Sequence, residues 1–273
     1  MSDLSQKVTF GPEGIVQVND HGGGVAVVSL ADPQRRNAMT VPMTDAWRSA
    51  MDHLAQRTDL RCVVVTGEGR AFCAGGDLGW IGAEPGASVA TLRHRMMPFY
   101  STWLAIREIG VPTIAAINGA AVGAGAALAL ACDIRIAGDS AAFSVPFTAL
   151  GLHPGMGITY LLPSVVGLSA ARDLLLTGRR IDAPQMLAMG VASQVVADAQ
   201  LLDTALTSAH TIAATAPVAA ELTRLALAES APTDLASALR WEGVVQSVTL
   251  ATSDVAEGLA AARERRAPRF TGE

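Results

Sequence analysis

Short apolar runs alternate with stretches of helical periodicity through the first 200 residues of the chain. Each run is rich in Val, Ile or Ala and is bounded by turn-forming residues, as is typical of strands. These runs predict strands at residues 15–19, 25–30, 62–66, 113–117, 134–137 and 142–144. The periodic stretches predict helices at residues 44–56, 91–109 and 123–131, the first with Thr44 as its N-cap. Strands that alternate with helices indicate an α/β fold.

Beyond about residue 200 the pattern becomes helical throughout. Stripes of Ala and Leu predict helices at residues 201–214, 217–228, 235–251 and 254–266. We therefore expect an α/β core at residues 1–200 and an all-helical region at residues 201–273. That region has little core of its own, so its stripes are expected to pack against a neighbouring subunit. An alanine-rich helical core is the alternative explanation of the same composition.

Composition narrows the class of protein. Of the 273 residues, 50% are hydrophobic and 16% are charged, which is enough for a large core. The net charge of −5 offers no basic surface for nucleic acid. Cys62, Cys73 and Cys132 lack metal or disulfide spacing and predict buried, reduced thiols in a cytoplasmic protein. We expect neither a signal peptide in residues 1–10 nor a membrane span.

Two glycine-rich segments that follow predicted strands are the candidates for chemistry. They are Ala71-Phe72-Cys73-Ala74-Gly75-Gly76-Asp77-Leu78 and Ile117-Asn118-Gly119-Ala120-Ala121-Val122-Gly123-Ala124-Gly125. Small residues let a ligand approach the main chain, and free N–H groups at a helix N-terminus stabilise negative charge. One N–H group from each segment would form an oxyanion hole. Alternatively, the glycines only form turns or allow close packing of helix and strand.

Five segments in order along the chain resemble those of the crotonase superfamily, the enoyl-CoA hydratase/isomerase fold. They are Asp32-Pro33-Gln34-Arg35-Arg36-Asn37-Ala38-Met39, the two glycine-rich segments, Ala131-Cys132-Asp133-Ile134-Arg135-Ile136-Ala137, and Glu257-Gly258 with the stretch 265–270. The resemblance implies a ClpP/crotonase spiral core of repeated ββα units. It also implies C-terminal helices that form a homotrimer or a dimer of trimers, and an acyl-CoA thioester substrate. No cofactor is expected, because CoA is part of the substrate.

The same resemblance assigns roles to individual positions. The backbone N–H groups of Gly76 and Ala124 would form the oxyanion hole. The acyl-CoA would contact Arg35, Arg36, Ala38, Ala74, Gly75, Asp77, Leu78, Gly123, Phe147 and Arg266. Arg265 or Arg266 would reach CoA phosphates, or else would end a solvated helix. Asp77 is expected to brace the turn that follows it.

The family's acid/base carboxylates have no counterpart at the matching positions, which hold Ala127, Phe147 and Gly155. Hydration requires one group to activate water and another to protonate carbon, and each is worth ~10²–10⁴-fold in rate. We therefore do not expect an efficient enoyl-CoA hydratase. His153, on the loop after Phe147, is the candidate replacement, with a packed or capping histidine as the alternative.

Three further side chains have both a functional and a simpler interpretation. As functional residues, Glu84 would swing over the site from the loop 81–88 and His94 would line an acyl tunnel. The simpler interpretation is that both are solvated surface residues. Met156 would form an apolar wall with Phe147, or both belong to the core. Three functions remain open: an acyl-CoA lyase or isomerase with a non-standard proton carrier, a non-catalytic acyl-CoA binder, and a structural subunit.

Overall fold

Two β-sheets form the core of the part of the chain that this computed structural model describes, residues 7–82, 86–227 and 234–273. The strands are β1 (Lys7–Phe10), β2 (Val16–Asp20), β3 (Val25–Leu30), β4 (Cys62–Gly67), β5 (Ala71–Cys73), β6 (Thr113–Ile117), β7 (Ala120–Val122), β8 (Ile134–Gly138), β9 (Ala142–Ser144), β10 (Ile181–Asp182) and β11 (Gln194–Val196). The larger sheet has the order β1-β2-β3-β4-β6-β8-β11, and the smaller one has the order β10-β9-β7-β5. Strands β1–β3 pair antiparallel, and β3 onward pair parallel.

Helices surround the sheets and follow most of the parallel strands. They are α1 (Val41–Ala55), α2 (Leu78–Ile81), α3 (Val89–Leu104), α4 (Ala124–Ala131), α5 (Ile158–Thr177), α6 (Ala183–Ala188), α7 (Leu201–Ala213), α8 (Pro217–Leu227), α9 (Leu235–Leu250) and α10 (Ser253–Glu264). The predicted α/β class is confirmed, and all six predicted strands are present within one or two residues at each end. Strands β5 and β7 were not predicted as strands, and they belong to the smaller sheet.

Helix α1 begins three residues earlier than the sequence predicts, and its N-cap is Thr40 rather than Thr44. The hydroxyl of Thr40 accepts a hydrogen bond from the Met43 N–H at 3.3 Å. Pro42 fits the first turn, where its missing N–H is not needed. Thr44 lies inside the helix, where its hydroxyl donates to the Thr40 carbonyl and accepts from the Trp103 indole at 3.1 Å. Thr44 therefore joins α1 to α3.

The segment 131–137 fixes the position of β8 through the polar contacts of Asp133 and Arg135. The Asp133 carboxylate accepts hydrogen bonds from the N–H and the hydroxyl of Thr113 in β6, both at 2.8 Å. Arg135 donates to the carbonyls of Val191 and Cys132, each at 2.7 Å. Burial lowers the pKa of Arg135 from its ordinary value. These bonds hold β8 beside β6, the strand that leads to the second glycine-rich segment.

The first helix of the C-terminal region packs against the large sheet. Leu201, Ala205 and Ala209 of α7 are buried against apolar side chains of β3, β4, β6 and β8. Helices α8 and α9 contain no buried residue, and α10 buries Asp254 and Ala261. The predicted division at residue 200 stays a prediction, with α7 lying on the α/β core and α8–α10 beyond it.

The three cysteines are buried free thiols, as predicted. Burial raises the pKa of Cys62, Cys73 and Cys132 to about 12. Each is thus a protonated, inert part of the core at neutral pH.

By length and composition alone, α5 is apolar enough to cross a membrane. Its backbone is interrupted at Gly167, where φ is 75°, and Arg172 and Asp173 lie within it. Five of its side chains lie in the core of the described fold: Ile158, Leu161, Leu162, Ala171 and Leu174.

Candidate functional site

The two glycine-rich segments meet through direct main-chain contact. Strands β5 and β7 pair parallel in the small sheet, so both segments leave the sheet at the same edge. At Gly75, where φ is +89°, a β-carbon would lie 2.5 Å from the Val122 carbonyl oxygen and 3.2 Å from the Ala124 nitrogen. At Gly125, a β-carbon would overlap the carbonyl group of Cys73. Only glycine allows this approach at either position.

The N–H groups of Gly76 and Ala124 have no hydrogen-bond acceptor among the described residues. Ala124 is the first residue of α4, whose opening N–H groups have no acceptor within the helix. Within residues 7–82, 86–227 and 234–273, neither N–H group donates to a protein acceptor. The helix places partial positive charge at Ala124. Two unpaired donors therefore lie on adjoining segments, in the electrostatic surroundings that suit an oxyanion.

The Asp32–Met39 segment holds the first glycine-rich segment in place. The Ala74 N–H donates to the Arg36 carbonyl at 3.0 Å, and the Met39 N–H donates to the Gly75 carbonyl at 2.8 Å. Arg35 and Arg36 are exposed beside the site, while Ala38 is half-buried. None of these three residues lines the cavity described next, so their predicted contact with CoA stays a prediction.

A cavity of about 410 Å³ adjoins the two N–H groups. Eight residues that the sequence analysis singled out for binding or catalysis line it: Ala74, Gly75, Gly76, Leu78, Gly123, Ala124, Phe147 and His153. Gly155 and Met156, from the loop before α5, complete that side of the wall. The structure thus brings together most of the predicted site residues around one largely apolar space.

Helix α3 supplies a wall of the cavity that the sequence analysis missed. Leu92, Arg95, Met96, Phe99 and Tyr100 face the cavity, at the three- and four-residue spacing of one helix face. This spacing is the sequence signal that could have revealed the cavity-facing side of α3, because its apolar residues recur with the helical period. His94 is exposed on another face of α3, in a surface hollow with Arg93 and Met97, which agrees with the alternative interpretation of a solvated surface residue.

Trp80 of α2 stacks on Phe99 with ring centroids 4.9 Å apart. The Arg95 guanidinium lies 4.7 Å from the centre of the same indole and donates to the Ile81 carbonyl at 3.0 Å. Asp77 caps α2 by accepting from the Trp80 N–H at 2.8 Å, which confirms the expected bracing role. The Asp77 carboxylate is not among the groups that line the cavity. Glu84 lies outside the described residues.

His153 lies on the cavity rim and is exposed to solvent. Its Nδ1 atom is 2.8 Å from the Pro154 carbonyl oxygen. Since a carbonyl oxygen can only accept, Nδ1 carries the proton and the neutral ring leaves Nε2 as an acceptor. The predicted role of His153 as acid or base stays a prediction.

The three positions that hold no carboxylate occupy different places. Phe147 and Gly155 line the cavity, whereas Ala127 is fully buried inside α4. Among the described residues that line the cavity, the titratable side chains are Arg95, Tyr100 and His153, and none is a carboxylate.

Arg266 lies near the C-terminus, outside the cavity of this chain. Its guanidinium contacts both carboxylate oxygens of Glu257, at 2.6 and 2.8 Å, and Glu264 at 2.6 Å. The pair holds the pKa of Glu257 at about 2 and raises that of Arg266. A contact between Arg266 and CoA would require exchange of these carboxylates for phosphate, and it stays a prediction.

Comparisons with known proteins identify the family. The enoyl-CoA hydratase/isomerase family profile matches residues 20–273. The chain is 44% identical over 184 residues to "Probable enoyl-CoA hydratase EchA14" of Mycobacterium tuberculosis, covering 67% of this chain and 70% of that protein. It is 35% identical over 259 residues to the mitochondrial enoyl-CoA hydratase domain-containing protein 2 of Bos taurus, covering 92% and 85%.

Solved structures agree with this result. The crystal structure of an enoyl-CoA hydratase from Bacillus anthracis superposes with a TM-score of 0.89 at 33% identity, over 95% of this chain and 100% of that one. The chain therefore belongs to the enoyl-CoA hydratase/isomerase family and has the crotonase fold, as the resemblance implied.

Proposed function

We propose that the chain binds an acyl-CoA thioester and polarises its carbonyl group with the N–H groups of Gly76 and Ala124. The observation that carries this proposal is the pair of unpaired N–H groups, held together by glycine contacts at one edge of an apolar cavity. Donors fixed in advance at the position of a developing oxyanion need no reorganisation during reaction. They would lower the energy of a thioester enolate relative to the bound ester.

The reaction we propose is a lyase or isomerase step that passes through this enolate with a non-standard acid/base. The relatives are named as enoyl-CoA hydratases, which places acyl-CoA chemistry first among candidates. Efficient hydration is not expected, because Phe147 and Gly155 bring no carboxylate to the cavity wall. Proton transfer at the α-carbon, or loss of CO₂ from a malonyl-type ester, needs only one proton donor beside the oxyanion hole.

Non-catalytic binding of acyl-CoA is the second candidate, and the same missing carboxylates favour it. Titration calorimetry with acyl-CoA esters and turnover assays with enoyl-, 3-hydroxyacyl- and malonyl-type esters separate the two. Binding together with turnover supports the enzyme. Binding without turnover supports the carrier, and failure to bind any CoA ester contradicts both.

A direct test of the oxyanion hole uses an arylacryloyl-CoA whose absorption shifts to the red when its carbonyl is polarised. Ala124→Pro removes one N–H at the first helical position, where proline fits the backbone. We expect the red shift to shrink and turnover to fall ~10²–10³-fold, the typical loss for one such donor. Val89→Pro is the matched control, since Val89 is the exposed first residue of α3 and does not line the cavity. An unchanged red shift in Ala124→Pro contradicts the proposal.

We also propose that the C-terminal helices contact other copies of the chain, in a homotrimer or a dimer of trimers. Six apolar side chains of α9 and α10 are at least half exposed: Leu235, Leu239, Val244, Val248, Leu250 and Leu259. Faces of this kind mark interaction surfaces. Light scattering should give three or six times the chain mass of 28.1 kDa, and Leu239→Glu with Val248→Glu should lower it. A monomer in the wild type contradicts this proposal.

A further inference from the structure

Tyr100 is a cavity-lining phenol for which the sequence analysis gave no role. It lies on α3, is half-buried, and faces the cavity together with Phe99 and Met96. Its ring makes an edge contact with Phe99, with centroids 6.2 Å apart and planes inclined at 62°. This contact restricts the ring, so the hydroxyl is held against the opposite wall of the cavity.

That opposite wall is Gly155, one of the three positions without a carboxylate. A β-carbon at residue 155 would lie 3.0 Å from Cζ of Tyr100 and would overlap the phenol oxygen. Any side chain at residue 155 would therefore displace the phenol. Gly155 has no side chain, and the hydroxyl of Tyr100 on α3 fills the space that a side chain at residue 155 would occupy.

The protonation state and bonding of the phenol suit a donor. Burial raises the pKa of Tyr100, an effect partly offset by a hydrogen bond from the Met156 backbone. The phenol is thus neutral at neutral pH. A neutral phenol carries a proton that it can donate to a group in the cavity. The other titratable side chains that face this space from the described elements are Arg95 on α3 and His153 on the rim.

We propose that Tyr100 is the acid that protonates the thioester enolate in this cavity, an inference that rests on the proposed function. The phenol O–H bond breaks, and its proton goes to the α-carbon, where the enolate electron pair forms the new C–H bond. The carbonyl double bond is restored as charge leaves the oxygen held by Gly76 and Ala124. The phenolate then regains a proton from solvent at the cavity rim, where His153 lies. In the reverse direction the phenolate removes the α-proton.

The test is exchange of the α-protons of butyryl-CoA for deuterium in D₂O, followed by mass spectrometry, with binding measured separately by calorimetry. Tyr100→Phe keeps the ring and removes the hydroxyl, so we expect exchange to fall ~10²-fold or more with the dissociation constant within about twofold. Tyr160→Phe is the matched control, because Tyr160 is the other tyrosine of the chain, is exposed and lies outside the cavity lining. It should exchange at the wild-type rate.

A pH profile separates proton transfer from a structural role. Wild-type exchange should change slope where the phenol ionises, above pH 10 because its pKa is raised, and Tyr100→Phe should lack that change. If Tyr100→Phe fails to fold, Gly155→Ala gives the second measurement, since its β-carbon displaces the phenol and should also lower exchange.

Each negative result would contradict a different proposal. Wild-type exchange that persists unchanged in Tyr100→Phe overturns the role of Tyr100 and leaves the proposed function intact. Butyryl-CoA binding without any exchange overturns proton donation and leaves thioester binding intact. Absence of binding to any CoA thioester overturns both.

Discussion

The side-chain amide of Asn37 donates a hydrogen bond to the carbonyl oxygen of Ala71 at 2.8 Å, inside the fold. The same nitrogen reaches the Glu68 carbonyl at 3.0 Å, and the side-chain oxygen accepts from the Asp32 N–H at 2.9 Å. Asn37 is fully buried and has a positive φ of 55°. It therefore joins the loop before α1 to the strand that leads into the first glycine-rich segment.

Replacing Asn37 by Ala should destabilise the protein and weaken the site together. The change leaves buried carbonyl groups without a donor, which should lower the free energy of unfolding by ~2–3 kcal/mol. Urea denaturation and acyl-CoA calorimetry measure the two effects. Asn19→Ala is the control, because Asn19 lies in β2 and makes no side-chain hydrogen bond with the described residues. Equal stability of the two variants would contradict the role given to Asn37.

Gly125→Ala should disrupt the contact between α4 and β5. The added β-carbon would overlap the Cys73 carbonyl, so α4 and β5 must move apart. This should lower the free energy of unfolding by ~1–3 kcal/mol or more. Gly243→Ala makes the same change inside α9, where nothing lies within 4 Å of the added carbon, and it should stabilise by ~0.5–1 kcal/mol. Thermal unfolding of both variants tests the prediction, which fails if both shift in the same direction.

The buried thiols should make stability depend on pH on the alkaline side. Their pKa rises from 9.0 to about 12 on folding, so the protonated thiol favours the native state. This contribution is complete below pH 9 and is lost as the pH rises from 9 towards 12. At pH 8 a thiol reagent should label no cysteine in native protein and all three in guanidinium chloride. Fast labelling of the native protein would contradict the burial.

Asp254 should hold the C-terminal residues in place. Its buried carboxylate accepts from the N–H groups of Thr271 and Gly272, at 2.8 and 3.0 Å. In Asp254→Ala, hydrogen–deuterium exchange of the peptide covering residues 268–273 should speed up, with little change in the large sheet. Asp203→Ala removes an exposed acidic residue from the first turn of α7 and serves as the control. The role of Asp254 is refuted if the terminal peptide exchanges equally in both variants.

Long elements were predictable from the sequence because their hydrophobic period extends over many residues. Runs such as 62–66 and 113–117 became strands β4 and β6, and the C-terminal helices lie close to their predicted bounds. Strands β5 and β7 have three residues each, too few to show a period, and they lie within segments whose glycines suggest turns. The predicted start of α1 falls at Thr44 rather than after Thr40 because the helix signal of Val41 and Pro42 is weaker than that of the later residues.

The residues around the two N–H groups were predictable, whereas the opposite wall was not. Gly76, Ala124 and Phe147 lie within or just after recognisable motifs. Tyr100 carries no motif, and its importance arises from its contact with Gly155, 55 residues away in the chain. Such a juxtaposition depends on how α3 packs, which local pattern does not encode.

The close main-chain contacts made at Gly75 and at Gly125 separate what mutation can alter from what it cannot. The groups proposed to hold the thioester belong to the main chain, which ordinary substitutions leave unchanged as long as these glycines remain. Other parts of the cavity wall depend on residue identity, at Phe147, Gly155 and Tyr100, where single substitutions change what lines the cavity. On the proposed function, recognition of the thioester depends on the backbone of the fold, whereas the reaction depends on side chains that can be exchanged without changing that backbone.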